Sequence, residues 1–200
     1  MVASAGQSGR RRLACQQGRI EPVEKAIKWI DTLSTWLGIP ISWLYVVLMF
    51  VITYDVTLRY FFSAPTEWAF DYAIMLYGTC FMLCGAYTLA QNNHVRSDMI
   101  YRLLSVRQQA ILDLILWFIF FFPGIIALMI AGYYFAEMSW RFRERSPSSP
   151  GGPPIYPFKT VIPIAGFFIG LQGIAEVLRC LVAIRTGQWP DRFADVQEQP

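Results

Sequence analysis

The chain has 200 residues, of which 55% are apolar, 16% are aromatic and only 16% are charged, and its formal net charge is +3. The apolar residues come in long uncharged blocks, a pattern that excludes an ordinary soluble domain and is typical of an integral membrane protein. Membrane orientation and contact with anionic lipid headgroups account for the small positive charge, so the charge does not indicate nucleic-acid binding.

The N-terminal part of the chain is polar before it becomes apolar. Residues 1–20 are small, polar and basic, and we expect them to be disordered. In residues 21–37 the apolar side chains recur at steps of three and four, and the charged ones fall at other positions. This pattern predicts an amphipathic helix on the cytoplasmic membrane surface, with its tryptophans at headgroup level. Gly38 and Pro40 then allow the chain to turn into the bilayer.

Four segments are apolar enough to cross the hydrocarbon core, which takes about 20 residues of helix. The fourth has the shortest uncharged run and reaches full length only if Lys159 and Arg179 extend their charged ends towards the interfaces. The sequence therefore predicts an all-α integral membrane domain over residues 38–185. Its four transmembrane helices are predicted at 38–62, 66–92, 110–137 and 158–182.

The distribution of basic residues predicts the orientation of the spans. Of the 17 Lys and Arg residues, 12 lie before the first span, between the second and third spans, or around and after the end of the fourth. Because positively charged flanks stay in the cytoplasm, both termini are expected there. The remaining basic residues include the segment WRFRER in the third connection, which opposes this rule.

The connections differ in character. Spans one and two are expected to form a tight hairpin, because the connection between them is short. The third connection, residues 139–159, holds five of the 12 prolines and cannot be a regular helix. Residues 186–200 are expected to form a polar C-terminal tail.

Two features inside the spans indicate how helices pack. Pro123, followed by a glycine, is expected to kink the third helix near its middle. Gly166, Gly170 and Gly173 give the fourth helix a smooth stripe against which another helix can pack closely.

The sequence offers little support for an enzyme or a cofactor site. Electron transfer from periplasmic thiols would need cysteine pairs in outer loops, but Cys80 and Cys84 lie inside the second span. His94 is the only histidine, which does not supply the axial ligands of a bundle haem or a metal-ligand set. Gln172 is the polar residue nearest to a span middle, and one amide more often bonds a neighbouring helix than moves a substrate.

Paired charges occur at the ends of spans. Asp55 and Arg59 are four residues apart and share a helical face, and Asp71 opens the facing helix and could join them. We interpret this set as a staple that closes the hairpin. The group His94, Arg96 and Asp98 is interpreted as a polar knot that fixes a cytoplasmic turn rather than a proton relay.

Residues 59–98, RYFFSAPTEWAFDYAIMLYGTCFMLCGAYTLAQNNHVRSD, resemble the small membrane (Q-type, DctQ-like) subunit of tripartite ATP-independent periplasmic (TRAP) transporters. A second similarity is the Ser/Pro-rich stretch SPSSPGGPPIYPFKTVIPIAG, which resembles the loop before the fourth span in longer forms of this subunit. Where the family usually has Glu, this chain has Asp71. The positions that carry the first similarity are Arg59, Trp68, Asp71, Gly85, Ala86, His94, Val95, Arg96 and Asp98.

The resemblance implies a three-part secondary transporter in a bacterial inner membrane. In such a system a periplasmic binding protein captures an organic acid, and a large membrane subunit carries the sodium and substrate sites. The small subunit packs on the large one as part of a fixed scaffold, and it has no cofactor of its own. On this basis we expect a sodium symport system in which the present chain is not an enzyme, although a non-transport anchor or assembly subunit of another complex stays open as an alternative.

The basic third connection then gains an interpretation. A positively charged outer surface speeds the encounter with a binding protein that carries acidic patches, and the effect weakens with salt. The residues that we expect in this docking surface are Arg141, Arg143, Arg145 and Lys159.

Overall fold

A computed structural model describes the backbone of residues 3–64, 66–91, 104–149 and 151–190, with side chains described from residue 22 onwards. This part of the chain is helical and contains no strand. The helices are α1 (Ala3–Phe61), α2 (Ala69–Ala90), α3 (Val106–Leu116), α4 (Phe122–Phe142) and α5 (Tyr156–Thr186), and a π-helical turn at Trp117–Phe121 joins α3 to α4 without a break.

Four helical stretches are long and apolar enough to cross a bilayer, with mean hydropathies of 1.6 to 2.6. For the described residues, the prediction of an all-helical fold with four helices suited to span a membrane is therefore confirmed. The side of the membrane on which each end lies stays a prediction. The stretches are Pro22–Phe61, Ala69–Ala90, Val106–Phe142 and Tyr156–Thr186.

The first helix differs from the expected arrangement. We expected disorder over residues 1–20, a separate helix over 21–37 and a turn at Gly38 and Pro40, but α1 runs continuously from Ala3 and contains both Pro22 and Pro40. A proline removes one backbone donor and disturbs one preceding carbonyl, and the hydrogen bonds on either side can keep the helix intact. Whether residues 21–37 lie on the membrane surface stays a prediction.

The last helix, α5, is the centre of the bundle, since it contacts α1, α2, α3 and α4. Its buried positions are mostly small or polar, which lets four neighbours approach one helix. The fully buried Ala165, Ala175 and Ala183 are spaced along more than half of its length. Packing around α5 therefore holds together the two hairpins α1–α2 and α4–α5.

The glycine stripe of α5 faces α4 within the same chain. A Cβ built on Gly166 would lie 2.8 Å from Met129 Cγ, and one built on Gly173 would lie 2.3 Å from Phe121 Cε1. Phe121 closes the π-helical turn two residues before Pro123, and the expected kink at that proline stays a prediction. The stripe thus lets a large aromatic ring pack directly on the α5 backbone.

Gly38 also permits a close contact rather than a turn. A Cβ at this position would meet Tyr87 of α2 at 2.5 Å from Cγ and 2.8 Å from Cβ, atoms near the root of the side chain that cannot swing away. The absence of a side chain at Gly38 therefore allows α1 and α2 to pack at this short distance.

We predict that Gly38→Ala destabilises the protein by about 1–3 kcal/mol, the usual effect of overpacking a filled interior. The measurement is the thermal unfolding midpoint of the detergent-purified protein, followed by tryptophan fluorescence. Gly124→Ala is the control, because a Cβ there meets nothing within 4 Å. Equal midpoints for the two variants would contradict the assigned role of Gly38.

Candidate functional site

A buried polar cluster joins α1 to the C-terminal half of α5, and we call it the α1–α5 cluster. The guanidinium of Arg179, which is 0% exposed, donates to the carboxylates of both Asp31 and Glu176. Gln172 Nε2 donates to Asp31 Oδ1 at 2.8 Å, and Ser34 Oγ donates to Gln172 Oε1 at 2.8 Å. A continuous chain of hydrogen bonds therefore crosses the interface between the two helices.

Helical spacing brings these five residues together. Asp31 and Ser34 are three residues apart in α1, and they continue the stripe that begins with Ile27 and Ile30, both buried. On α5 the three members are Gln172, Glu176 and Arg179, at steps of four and three, so they also share one face.

The chemistry of the α1–α5 cluster is that of a structural tie. A buried charge is tolerated only when it is paired and hydrogen-bonded, and here each arginine–carboxylate contact supplies both conditions. Asp31 accepts from Arg179 with one oxygen and from Gln172 with the other, which fixes its orientation. The cluster therefore holds residues 27–34 of α1 in one register against α5.

We predict that Arg179→Leu destabilises the protein by about 3–5 kcal/mol, because it removes the cation shared by two buried carboxylates. The unfolding midpoint in detergent measures this effect. Arg185→Ala, an exposed change on the same helix, is the control and should leave the midpoint nearly unchanged.

Adding Asp31→Asn to Arg179→Leu should restore part of the lost stability, since it removes one uncompensated buried charge. A double variant that is no more stable than Arg179→Leu would contradict the ion-pair explanation.

At the opposite end of the bundle, which we call the loop end, Asp55 organises the α1–α2 turn. Arg59 Nη2 donates to Asp55 Oδ2 at 2.8 Å, and the backbone N–H of Thr66 donates to Asp55 Oδ1 at 3.1 Å. Trp68 lies between Tyr54 and Tyr72, with ring centroids 6.1 and 5.8 Å away. The structure thus brings Asp55 and Arg59 together as expected from their spacing and adds Thr66 as a third partner.

Asp71 does not join that pair. It is buried, and Ser146 Oγ donates to its Oδ1 at 2.6 Å while Ser149 Oγ donates to its Oδ2. The sequence suggested Asp55 as its neighbour because both residues flank the same turn. Instead, Asp71 fastens the loop between α4 and α5 to the start of α2.

A second contact stabilises the same loop. Lys159 Nζ pairs with Glu144 Oε2, and Ser139 Oγ donates to the same oxygen at 2.8 Å. Hydrogen bonds from Lys159 and Ser139 lower the pKa of Glu144 below its usual value. Lys159 is only 12% exposed and lies 3.9 Å above the Phe135 ring. Its charge is therefore engaged inside the protein.

The three arginines of the predicted docking surface are exposed. Arg141 pairs with Glu137 at 2.9 Å, whereas Arg143 ends α4 in the left-handed conformation, with φ of 47°. Arg145 faces Pro154 in an isolated antiparallel bridge, and its side chain is exposed. The loop thus presents three guanidinium groups on a backbone held by Asp71 and Glu144.

Other residues selected from the sequence give no further site. His94, Arg96 and Asp98 lie outside the described residues. Within the described part, no group of three or more His, Cys, Asp or Glu side chains could hold a metal ion. Cys80 and Cys84 are free thiols.

Sequence reasoning missed the α1–α5 cluster. It placed Asp31 on the polar face of an amphipathic helix and expected Arg179 to extend towards the interface, yet both are buried. It did expect Gln172 to bond a neighbouring helix, and Gln172 contacts α1 through Ser34 and Asp31. The available signal was the i, i+4, i+7 spacing of polar residues on α5, which matches one helical face.

Comparisons with known proteins place this bundle in a family. The family model described as "Tripartite ATP-independent periplasmic transporters, DctQ component" matches residues 48–183, which is more than half of the chain. A comparison with curated proteins finds no match. The matched region starts within the first membrane-spanning stretch and ends near the end of the fourth, so it includes the second and third stretches entirely.

Proposed function

The chain belongs to the DctQ component family of tripartite ATP-independent periplasmic transporters, and on that premise we propose that it is a scaffold subunit that packs on a large transport subunit. The observation that carries this proposal is the use of polar groups in the bundle. The α1–α5 cluster and the Asp71 contacts tie helices and loops to one another. Groups engaged in this way stabilise a fixed frame.

The transport chemistry belongs, in this proposal, to the large subunit. A coupled transporter needs ionisable or strongly polar groups that face a pathway near the middle of the membrane. Here Arg179 and Asp31 are 0% and 4% exposed at the side chain and are occupied by each other. We therefore assign sodium coupling and the organic-acid site to the large subunit, and substrate capture to a periplasmic binding protein.

The experiment that tests this proposal is a pull-down of the tagged chain from native membranes in mild detergent, with partners identified by mass spectrometry. We expect a large polytopic membrane protein in an amount equal to the tagged chain. A chain that purifies alone, or with a respiratory or assembly complex, would overturn the scaffold proposal and favour an anchor subunit.

The exposed arginines suggest a second role within the same assembly. The loop end carries Arg141, Arg143 and Arg145 on a surface whose backbone is fastened at two points. Fixed charges of one sign raise the encounter rate with an oppositely charged partner. We therefore propose that this surface helps to dock an acidic patch of the binding protein. Lys159 is left out of the docking surface because its side chain is only 12% exposed, whereas Arg141 is 72% exposed although it pairs with Glu137.

We predict that the triple change Arg141→Glu, Arg143→Glu and Arg145→Glu raises the binding-protein concentration needed for half-maximal uptake. The expected increase is about tenfold or more at low salt. Uptake by the reconstituted complex, measured over a range of binding-protein and salt concentrations, tests this expectation. For the wild type, the binding-protein concentration needed for half-maximal uptake should rise as the salt concentration increases. For the variant, this concentration should change much less with salt.

A matched control reverses three exposed basic residues at the other end of the bundle, as Lys25→Glu, Lys28→Glu and Arg185→Glu. This control should leave the binding-protein requirement unchanged. Unchanged uptake and unchanged salt dependence in the loop-end variant would remove the docking role while leaving the scaffold role intact.

A further inference from the structure

Two tyrosine side chains are exposed on the outer surface of the bundle, near the middle of its apolar segments. Tyr45 of α1 is 40% exposed and Tyr77 of α2 is 56% exposed. Cys80 Sγ of α2 lies 3.8 Å from the carbonyl oxygen of Ile41 in α1. Tyr77 and Tyr45 lie one helical turn from this contact, on the same side of it along the antiparallel pair. In the described part of the chain, neither phenolic hydroxyl has a hydrogen-bond partner. These two groups therefore form a polar spot on a surface that is otherwise apolar.

Their depth follows from the helix geometry. Tyr45 is the central residue of the uncharged run from Trp36 to Tyr54, so about 13 Å of helix separates it from either end of the run. A tyrosine side chain is about half as long as this distance, so the hydroxyl of Tyr45 does not reach either headgroup region. Tyr77 lies at a similar level on the antiparallel α2.

Lipid tails are a poor environment for this spot. A hydroxyl in hydrocarbon without a hydrogen-bond partner loses the bonds that it makes in water, and the tails offer none in return. The outward face of the third membrane-spanning stretch is different. Residues 118–130, FIFFFPGIIALMI, contain no hydroxyl, amide or charge, although Phe118, Ile126 and Ile130 are more than half exposed. That face suits lipid.

The α2 surface around Tyr77 has the form of a helix-packing seam. Phe70, Ile74, Tyr77 and Phe81 follow one another at steps of four, three and four, and they are 49% to 64% exposed. This spacing places one side chain per turn along a single line, which is the pattern of knobs that insert between the side chains of a facing helix. Nothing in the described part of the chain covers the line.

We propose that the surface formed by Tyr45 and the α2 line Phe70–Phe81 is the contact with the large transport subunit, and we call it the tyrosine face. The occupant is a membrane helix that presents hydrogen-bonding groups to the two hydroxyls within the hydrocarbon region. This inference rests on the proposed scaffold function, and it goes further by assigning one face to the partner and another, formed by the exposed Phe118, Ile126 and Ile130, to lipid.

Site-specific photocrosslinking in native membranes tests the assignment. A benzophenone amino acid is introduced as Tyr45→p-benzoylphenylalanine or Tyr77→p-benzoylphenylalanine in the tagged chain, and the adducts are identified by mass spectrometry. The matched control is Ile126→p-benzoylphenylalanine, a position that is 53% exposed on the apolar face. We expect adducts with the co-purifying large membrane protein from the tyrosine face, at least about tenfold more abundant than from position 126.

The outcomes separate this inference from the proposed function. Three outcomes would overturn the assignment of the tyrosine face while the large protein still co-purifies. They are adducts only with lipid, adducts with a second copy of this chain, and equal yields of large-protein adducts from position 126. Failure of the unmodified tagged chain to retain any large membrane protein would overturn the scaffold proposal and this inference together.

A second variant tests the hydroxyls without adding bulk. The double change Tyr45→Phe and Tyr77→Phe removes only two oxygen atoms, so the fold should be kept. We expect the amount of large protein retained through a detergent wash to fall about threefold or more, as the loss of hydrogen bonds between membrane helices predicts. Tyr134→Phe, at a 65% exposed position near the loop end, should retain the wild-type amount. Equal retention by the double variant would overturn the hydrogen-bonding part of the proposal.

Discussion

The guanidinium of Arg179, held between Asp31 and Glu176, is the interaction on which the arrangement of the bundle depends. Burying a charge is costly, and partners at the right distance from two different parts of the chain offset that cost. Because Asp31 lies 148 residues before Arg179, the pair connects the first membrane-spanning stretch to the last. Gln172 and Ser34 extend the connection by one helical turn, so α1 cannot slide along α5 without breaking several bonds.

The loop end completes the frame that the α1–α5 cluster begins. Asp71 holds the loop through Ser146 and Ser149, and Glu144 holds it again through Lys159 at the start of α5. Helix α5 is therefore fixed near both of its ends by charged groups, and glycine–aromatic packing fixes it in between. A helix constrained in this way moves with its neighbours as one body. This property suits a part of a transporter against which other parts move.

The sequence predicted the features that depend on local composition, and it failed where distant residues decide the outcome. Long uncharged runs require helices in a bilayer, so the four membrane-spanning stretches follow from composition alone. The buried position of Asp31 does not follow from composition. Judged by polarity, it belongs to an exposed face, but judged by helical spacing it follows Ile27 and Ile30 on the buried one. Only the position of Arg179, in another helix, decides between these alternatives. Similarly, Pro40 and Gly38 suggested a turn because proline and glycine often end helices, whereas the need of Tyr87 for space explains the glycine.

The bundle does not cover its own apolar surface, and this incompleteness supports its place in a larger assembly. In the most apolar window of Val106–Phe142 none of the residues is buried, and in that of Pro22–Phe61 only 17% are. Lipid can cover such surfaces where they are wholly apolar, because the tails offer dispersion contacts and need no hydrogen bonds in return. It cannot satisfy the hydroxyl of Tyr45 in the middle of its run. The chemistry of each face thus favours one kind of neighbour, and this contrast is the physical basis for proposing a protein contact at the mixed face of α1 and α2.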